Sequence, residues 1–191
     1  MILEGLVTTT DAQGRPHLAP MGPKVDADFT RLLLRPFSTS QTGQNLLRHG
    51  EGVFHITDDA ALIARSAAGL LKDVPATRLA EKIKGFVLLD CCRSFEFSLR
   101  TSDTAQERYK LEVEIVATAT HREFVGFNRA RHALLEAAIL ATRFHLLPEA
   151  EIKAEFEKLG TVIFKTGDRH EILAMHELSQ AHARFRTGAR P

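Results

Sequence analysis

F-E-F-S-L-R (Phe95 to Arg100) and L-E-V-E-I-V-A (Leu111 to Ala117) are the stretches that decide the class of fold. Phe95, Phe97 and Leu99 alternate with Glu96, Ser98 and Arg100. Leu111, Val113, Ile115 and Ala117 then repeat the same period of two. In a strand successive side chains point to opposite faces, so this alternation reads as two β-strands with one apolar and one polar face. The polar segment Thr101 to Glu107 is the loop between them.

Working back towards the start, the pattern stays short and β-like. Ile2 to Thr10 is rich in β-formers and ends at the turn signal Asp11-Ala12-Gln13-Gly14. Arg15 to Met21 reads as a second strand, interrupted by Pro20 and by Gly22-Pro23. Thr30 to Arg35 is a third and Gly52 to Thr57 a fourth. Asp58 is a candidate cap for a helix through the alanine-rich segment Asp59 to Leu71. Many short strands and few helices predict a barrel with one half-wet face. No internal repeat is present.

Working forward from His121, the period becomes helical. Asn128 caps an expected helix to Leu147, with Ala133, Ala137, Ala138 and Ala141 as small residues. Pro148 stands at a first helical position, with Glu149 and Glu151 beside it. The stripe Ile152, Phe156, Leu159 and Ile163 gives that helix an apolar face that needs a surface to bury against. Asp168 with Glu171 resembles a capping box opening a third helix to about Phe185, and Thr187 to Pro191 read as a frayed tail. The layout is therefore α+β: a barrel domain over residues 1–121, then a helical region over 122–191.

Bulk properties exclude several classes. The 191 residues carry 25 Lys+Arg against 24 Asp+Glu, so no basic excess points to nucleic acid or a membrane surface. No apolar run is long enough to cross a bilayer, and Met1 to Gly5 lacks a signal peptide's charged-then-apolar layout. The two cysteines, Cys91 and Cys92, are adjacent, which disfavours a disulfide between them and offers no metal-ligand spacing. No metal site is expected, and the chain reads as cytoplasmic. Nucleotide-loop, serine-elbow and H-E-x-x-H motifs are all absent.

Two segments carry candidate chemistry. Arg35-Pro36-Phe37-Ser38-Thr39-Ser40-Gln41-Thr42, followed by Asn45, leaves a strand, crosses a loop and enters a short helix. Hydroxyls, an amide and a guanidinium converging at a helix N-terminus suit a phosphate, although a capped helix behind a solvated loop has the same composition. Ala19-Pro20-Met21-Gly22-Pro23 offers a strand end where backbone could approach a flat ring, or simply a rigid turn. His55 reads as a packed strand residue. Asn128, Arg129 and His132 open the long helix as a cap and solvated charges.

In order, M-I-L-E-G-L-V-T-T-T-D, P-H-L-A-P-M-G-P, R-P-F-S-T-S-Q-T-x-x-N-L and F-N-R-A-R-H-A-L-L-E-A-A-I-L-A-T-R resemble an uncharacterised family of FMN-binding split-barrel proteins. That fold is related to flavin reductases and pyridoxamine-phosphate oxidases. The resemblance covers most of the chain and is weakest from Ala60 to Lys84.

The resemblance implies an FMN-binding split β-barrel followed by a helical part. It implies Arg35 as charge partner of the FMN phosphate, with Ser38, Thr39, Gln41 and Thr42 as donors and Asn45 beside them. Thr9, Pro20, Met21 and Gly22 would line the isoalloxazine. Separately from the resemblance, Asn128, Arg129 and His132 at the start of the long helix are candidates to reach the flavin or its phosphate across a homodimer interface. Ser40-Gln41-Thr42 stand where some oxidase relatives carry basic residues, which argues against a strongly cationic phosphate site. An oxidoreductase acting on a small molecule, with a pterin-type carrier to be screened, is one implied function. A non-catalytic flavin-binding or sensing protein that works through a partner is the other.

Overall fold

The computed structural model describes residues 1–187, so of the tail expected to fray only Thr187 falls within the described residues. These residues form two compact units. The first comprises Met1–Thr57 and Asp73–Phe124. The second comprises Asp58–Lys72 and the chain from Val125 onwards. A single cut near residue 121 misses that the alanine-rich segment after Thr57 groups with the C-terminal helices.

The first unit is a seven-stranded antiparallel sheet. In chain order its strands are β1 (Gly5–Thr10), β2 (Pro16–Met21), β3 (Lys24–Val25), β4 (Arg31–Leu34), β5 (Glu51–Ile56), β8 (Arg93–Asp103) and β9 (Lys110–Thr120). A separate two-stranded hairpin, β6 (Thr77–Leu79) and β7 (Phe86–Leu88), lies between β5 and β8 in the chain. The spatial order is β2-β1-β5-β8-β9-β4-β3. Residues leading into β1 reach the far edge: Ile2 bridges Lys24, Leu3 N–H donates to Pro23 O, and Val25 N–H donates to Met1 O. The sheet is thereby drawn towards closure as a split barrel, which shields strand edges from other chains.

Local chemistry explains the first hairpin. Asp11 accepts the backbone N–H groups of Gln13 and Arg15, each at 2.8 Å, and Gly14 turns at φ 80°, a conformation that favours glycine. Close packing, not turning, fixes Gly5: a Cβ there would lie 2.4 Å from His55 O. The barrel core is Val7, Leu34, Leu46, Phe54, Phe95, Phe97, Leu111 and their neighbours. Burying one such side chain contributes roughly 1.5–3 kcal/mol.

The alternation read in β8 and β9 is observed, with Phe95, Phe97, Leu111 and Val113 all buried. Register shifts between Glu96 and Phe97 and between Leu99 and Thr101 then interrupt it. The second face is drier than expected, because Glu96 is also buried and accepts N–H bonds from Glu81 and Lys82 in the β6–β7 hairpin. Strands of two or three residues such as β3, β6 and β7 are too short to show a period.

The second unit contains α2 (Ala60–Ala67), α3 (Arg129–Ala141), α4 (Glu149–Thr166) and α5 (Arg169–Arg186). Asp59, not Asp58, caps α2 by accepting Leu62 N–H at 2.8 Å. Asp58 instead accepts Val125 N–H at 2.9 Å and faces Arg131. Helix α2 stops at Ala67, short of Leu71, and Gly69 turns there with φ 66°. Helix α3 ends at Ala141, six residues before Leu147, where the backbone tightens into three-residue turns at Arg143 and Leu146.

Asn128 caps α3 and the Asp168–Glu171 capping box opens α5, both as the sequence predicts. The α4 stripe needs no outside surface. Ile152, Phe156 and Ile163 are buried, with Leu159 packed alongside, in one core with α2, α3 and α5. Neither the barrel nor a partner subunit is required to cover it. No helix among the described residues is long and apolar enough to cross a membrane.

Candidate functional site

The link from β4 to α1 (Gln41–His49) is pinned from both sides. Tyr109 N–H donates to Pro36 O and Ser38 N–H donates to Glu107 O, at 3.0 and 2.8 Å. Phe37 bridges Arg108, whose guanidinium carbon stands 3.8 Å from the Phe37 ring centroid. Ser40 caps α1: its hydroxyl accepts Gly43 N–H and donates to Phe37 O. A Cβ on Gly43 would lie 2.9 Å from Phe37 O, so only glycine lets the loop fold back this tightly.

Within this frame the candidate residues separate into two groups. Arg35 and Thr39 are exposed and Ser38 half-buried, and none of their side chains is hydrogen-bonded to another described residue. Thr42 is buried on the first turn of α1. Gln41, Asn45 and Thr9 are instead tied together. Asn45 Nδ2 donates to Thr9 Oγ1 at 3.0 Å, while Asn45 Oδ1 accepts from Gln41 at 2.7 Å and from Arg48 at 3.2 Å. Asn45 is fully buried, so this network fixes α1 against β1.

Thr9 pairs with His17, whereas Met21 pairs with Gly5. Thr9 and Pro20–Gly22 therefore stand at opposite ends of the β1–β2 hairpin, roughly 13 Å of strand apart. The structure brings Thr9 to Asn45 and not to Gly22. Pro20 and Met21 are half-buried on an edge strand. A Cβ on Gly22 would meet the ends of Ile2 and Glu4, at 3.1 and 3.2 Å.

Asn128 and Arg129 belong to the helical unit. The Asn128 side chain accepts Ala130 and Arg131 N–H and donates to Thr166 O at 3.0 Å, joining the start of α3 to the end of α4. Arg129 is exposed.

The remaining reactive groups are quiet. His55 is fully buried between Leu6 O and Leu88 N–H, and burial pushes its pKa down to about 4. Burial, with Cys92 beside it, pushes the Cys91 thiol up to about 11, far from a thiolate nucleophile at neutral pH. No group of three metal-ligating side chains is found among the described residues. Sequence reasoning missed Arg108, a second guanidinium beside the loop. Its place depends on a bridge between residues 37 and 108 that no local pattern reveals.

Comparison with known proteins bears on this arrangement. Residues 3–122 match the N-terminal domain of a protein family of unknown function, DUF447, and residues 128–180 match its second domain. The chain belongs to the DUF447 family. An FMN-bound DUF447 protein from Methanosarcina mazei superposes with a TM-score of 0.81 at 22% identity, over 94% of both chains.

Two flavin-related structures resemble part of the chain. The styrene monooxygenase flavin reductase of Pseudomonas putida gives a TM-score of 0.53 at 11% identity, over 62% of this chain and 81% of that one. A flavoredoxin from Methanosarcina acetivorans gives 0.53 at 15%, over 62% and 68%. No curated protein matches the chain in sequence. The fold of this DUF447 chain is thus the α+β split barrel with C-terminal helices.

Proposed function

We propose that this DUF447 protein binds FMN in its barrel and works as a cytoplasmic oxidoreductase. The observation that carries the reading is the superposition over nearly its whole length on an FMN-bound member of the same family. The donor set at the β4–α1 link fits the phosphate end of that ligand. Arg35 would supply charge, Ser38, Thr39 and Thr42 hydroxyls, and the start of α1 its unpaired N–H groups. Thr9, Gln41 and Asn45 would position the helix and need not touch the ligand. When bound, FMN supplies the electron transfer; the protein holds and orients it.

The purified protein is expected to be yellow, and chromatography of the heat-released chromophore should identify FMN. A colourless protein that also fails to take up added FMN would overturn the reading. Changing Arg35 to Ala should weaken FMN about tenfold or more and leave riboflavin nearly unchanged, because only FMN carries the phosphate and a charged hydrogen bond is typically worth about 1.5–3 kcal/mol. Equal losses for the two ligands would assign Arg35 to the fold. Rapid bleaching by a reductant and recovery with an acceptor, pterins among those screened, separates a catalyst from a flavin sensor.

We further propose a homodimer. The α4 stripe is buried within the helical unit, but Leu146, Phe164 and Phe185 leave apolar surface exposed there. Light scattering on the FMN-loaded protein should give twice the mass of the 21.2 kDa chain. A monomer that keeps its flavin at low micromolar concentration would exclude a shared site.

A further inference from the structure

The barrel unit holds a cavity of about 720 Å³ that the cofactor reading does not use. It lies by Arg48 and His49 in the last turn of α1, about 13 Å along the helix from the β4–α1 link. Its far wall is the β6–β7 hairpin, which contributes Leu79, Ile83, Lys84 and Phe86.

That wall is built to stay in place. Thr8 donates to Phe86 O and Thr10 to Lys84 O. Glu51 accepts Lys84 N–H at 3.0 Å, and Glu96 accepts the N–H groups of Glu81 and Lys82. His55 accepts Leu88 N–H at 3.1 Å. Five sheet side chains thus hold a hairpin that has only two short strands of its own. A wall fixed at so many points gives a preformed cavity, of a size that suits a small organic ligand.

The lining chemistry selects the ligand. Leu79, Ile83 and Phe86 present apolar surface, and Leu79 is 73% exposed, wasteful in water but useful against an apolar body. Arg48 and Lys84 bring cationic groups to the lining, and His49, whose Nε2 lies 3.3 Å from Asp11 O, stands beside them. Arg48 spends one N–H on Asn45, which steadies the guanidinium and leaves the rest of its fork available. Glu51 is the one carboxylate in the lining, and it already accepts the Lys84 N–H.

We propose that this cavity binds an organic anion with a flat apolar body, in class an aromatic carboxylate. The carboxylate pairs with Arg48 and Lys84, and the ring lies against Ile83, Phe86 and Leu79. The site rests on the cavity alone and stands whether or not the barrel holds FMN.

Titrating naphthalene-2-carboxylate into the full-length protein as purified, followed by amide NMR, tests it. Saturable shifts are expected at Gly14, Ala80 and Gly85, with binding weakened by salt. Neutral 2-naphthalenemethanol should bind about tenfold more weakly or worse, and Lys84→Gln should cost the carboxylate a similar factor without affecting the alcohol. The Lys84 side chain is exposed, so an unchanged thermal midpoint should accompany that loss. Absence of saturable shifts at those three amides, equal affinity for the alcohol, or indifference to Lys84→Gln would each overturn the proposal.

Discussion

Truncating Arg131 to alanine is expected to destabilise the helical unit by about 3 kcal/mol, because it removes the cation that faces two buried carboxylates. Arg131 lies on α3 with its Nε 3.3 Å from Glu171 and its guanidinium 3.5 Å from Asp58. The Asp58 and Glu171 side chains are only 4% and 8% exposed. Backbone N–H groups of Val125 and Asp168 also serve these carboxylates, which keeps the loss near the lower end for a broken buried pair. In a chain of this size such a loss lowers the melting temperature by on the order of 6–12 °C.

Helices dominate the second unit, whereas Tyr109, the chain's one tyrosine, reports on the barrel without competition from tryptophan. Circular dichroism at the helical band should therefore shift further than Tyr109 fluorescence. Adding Asp58→Asn to the Arg131→Ala background should recover part of the loss by removing one of the two buried negative charges. A total effect below about 1 kcal/mol would show the triad to be solvated and of surface type.

The second large effect is a dependence of stability on pH carried by His55. Its Nδ1 lies 3.3 Å from Leu6 O and its Nε2 accepts from Leu88 N–H, so only the neutral ring with the proton on Nδ1 satisfies both neighbours. Burial is the main cause that lowers its pKa from 6.5 to about 4; the Leu6 bond opposes the shift and nearby His121 adds to it. The unfolded chain thus takes up the proton first. Stability from this residue is complete above pH 6.5 and declines as pH falls towards 4, by about 3 kcal/mol in all.

His17, His121 and His182 are also shifted downwards, mainly by burial, and contribute in the same direction. Asp11, Asp26, Asp103 and Asp168, held low mainly by hydrogen bonds, act only below their usual value of 3.8. A His55→Gln variant isolates the contribution of this side chain. Urea unfolding of wild type between pH 7 and 4.5 should show a steeper loss than the variant. Parallel curves for the two would rule out His55 as the source.

Several elements were legible because their signals are local. The period of two in Phe95–Leu99 and Leu111–Ile115, the Asp11–Gly14 turn, the Asn128 cap and the Asp168–Glu171 box each depend on residues within a few positions. Where two local signals compete, sequence pattern does not decide between them. Asp58 and Asp59 are equally good caps by type, and Asp58 is diverted because Val125, 67 residues away, donates to it. The β4–α1 link was likewise recognisable from its hydroxyls and arginine, but not which of them were already engaged.

By itself the sequence determined the α+β class, the identity of most strands and helices, and the segment at the β4–α1 link richest in phosphate-type donors. Tertiary structure alone decided how Met1–Leu3 reach β3, which core covers the α4 stripe, and where the β6–β7 hairpin is fastened. It alone decided that Asn45 spends its amide on Thr9, 36 residues away, while Arg35 keeps an exposed guanidinium. Periodicity and capping are written in bonds that span about four residues. Whether a polar group is consumed by the fold or left for a ligand depends on bonds between residues tens of positions apart, and one chain's local pattern does not encode those.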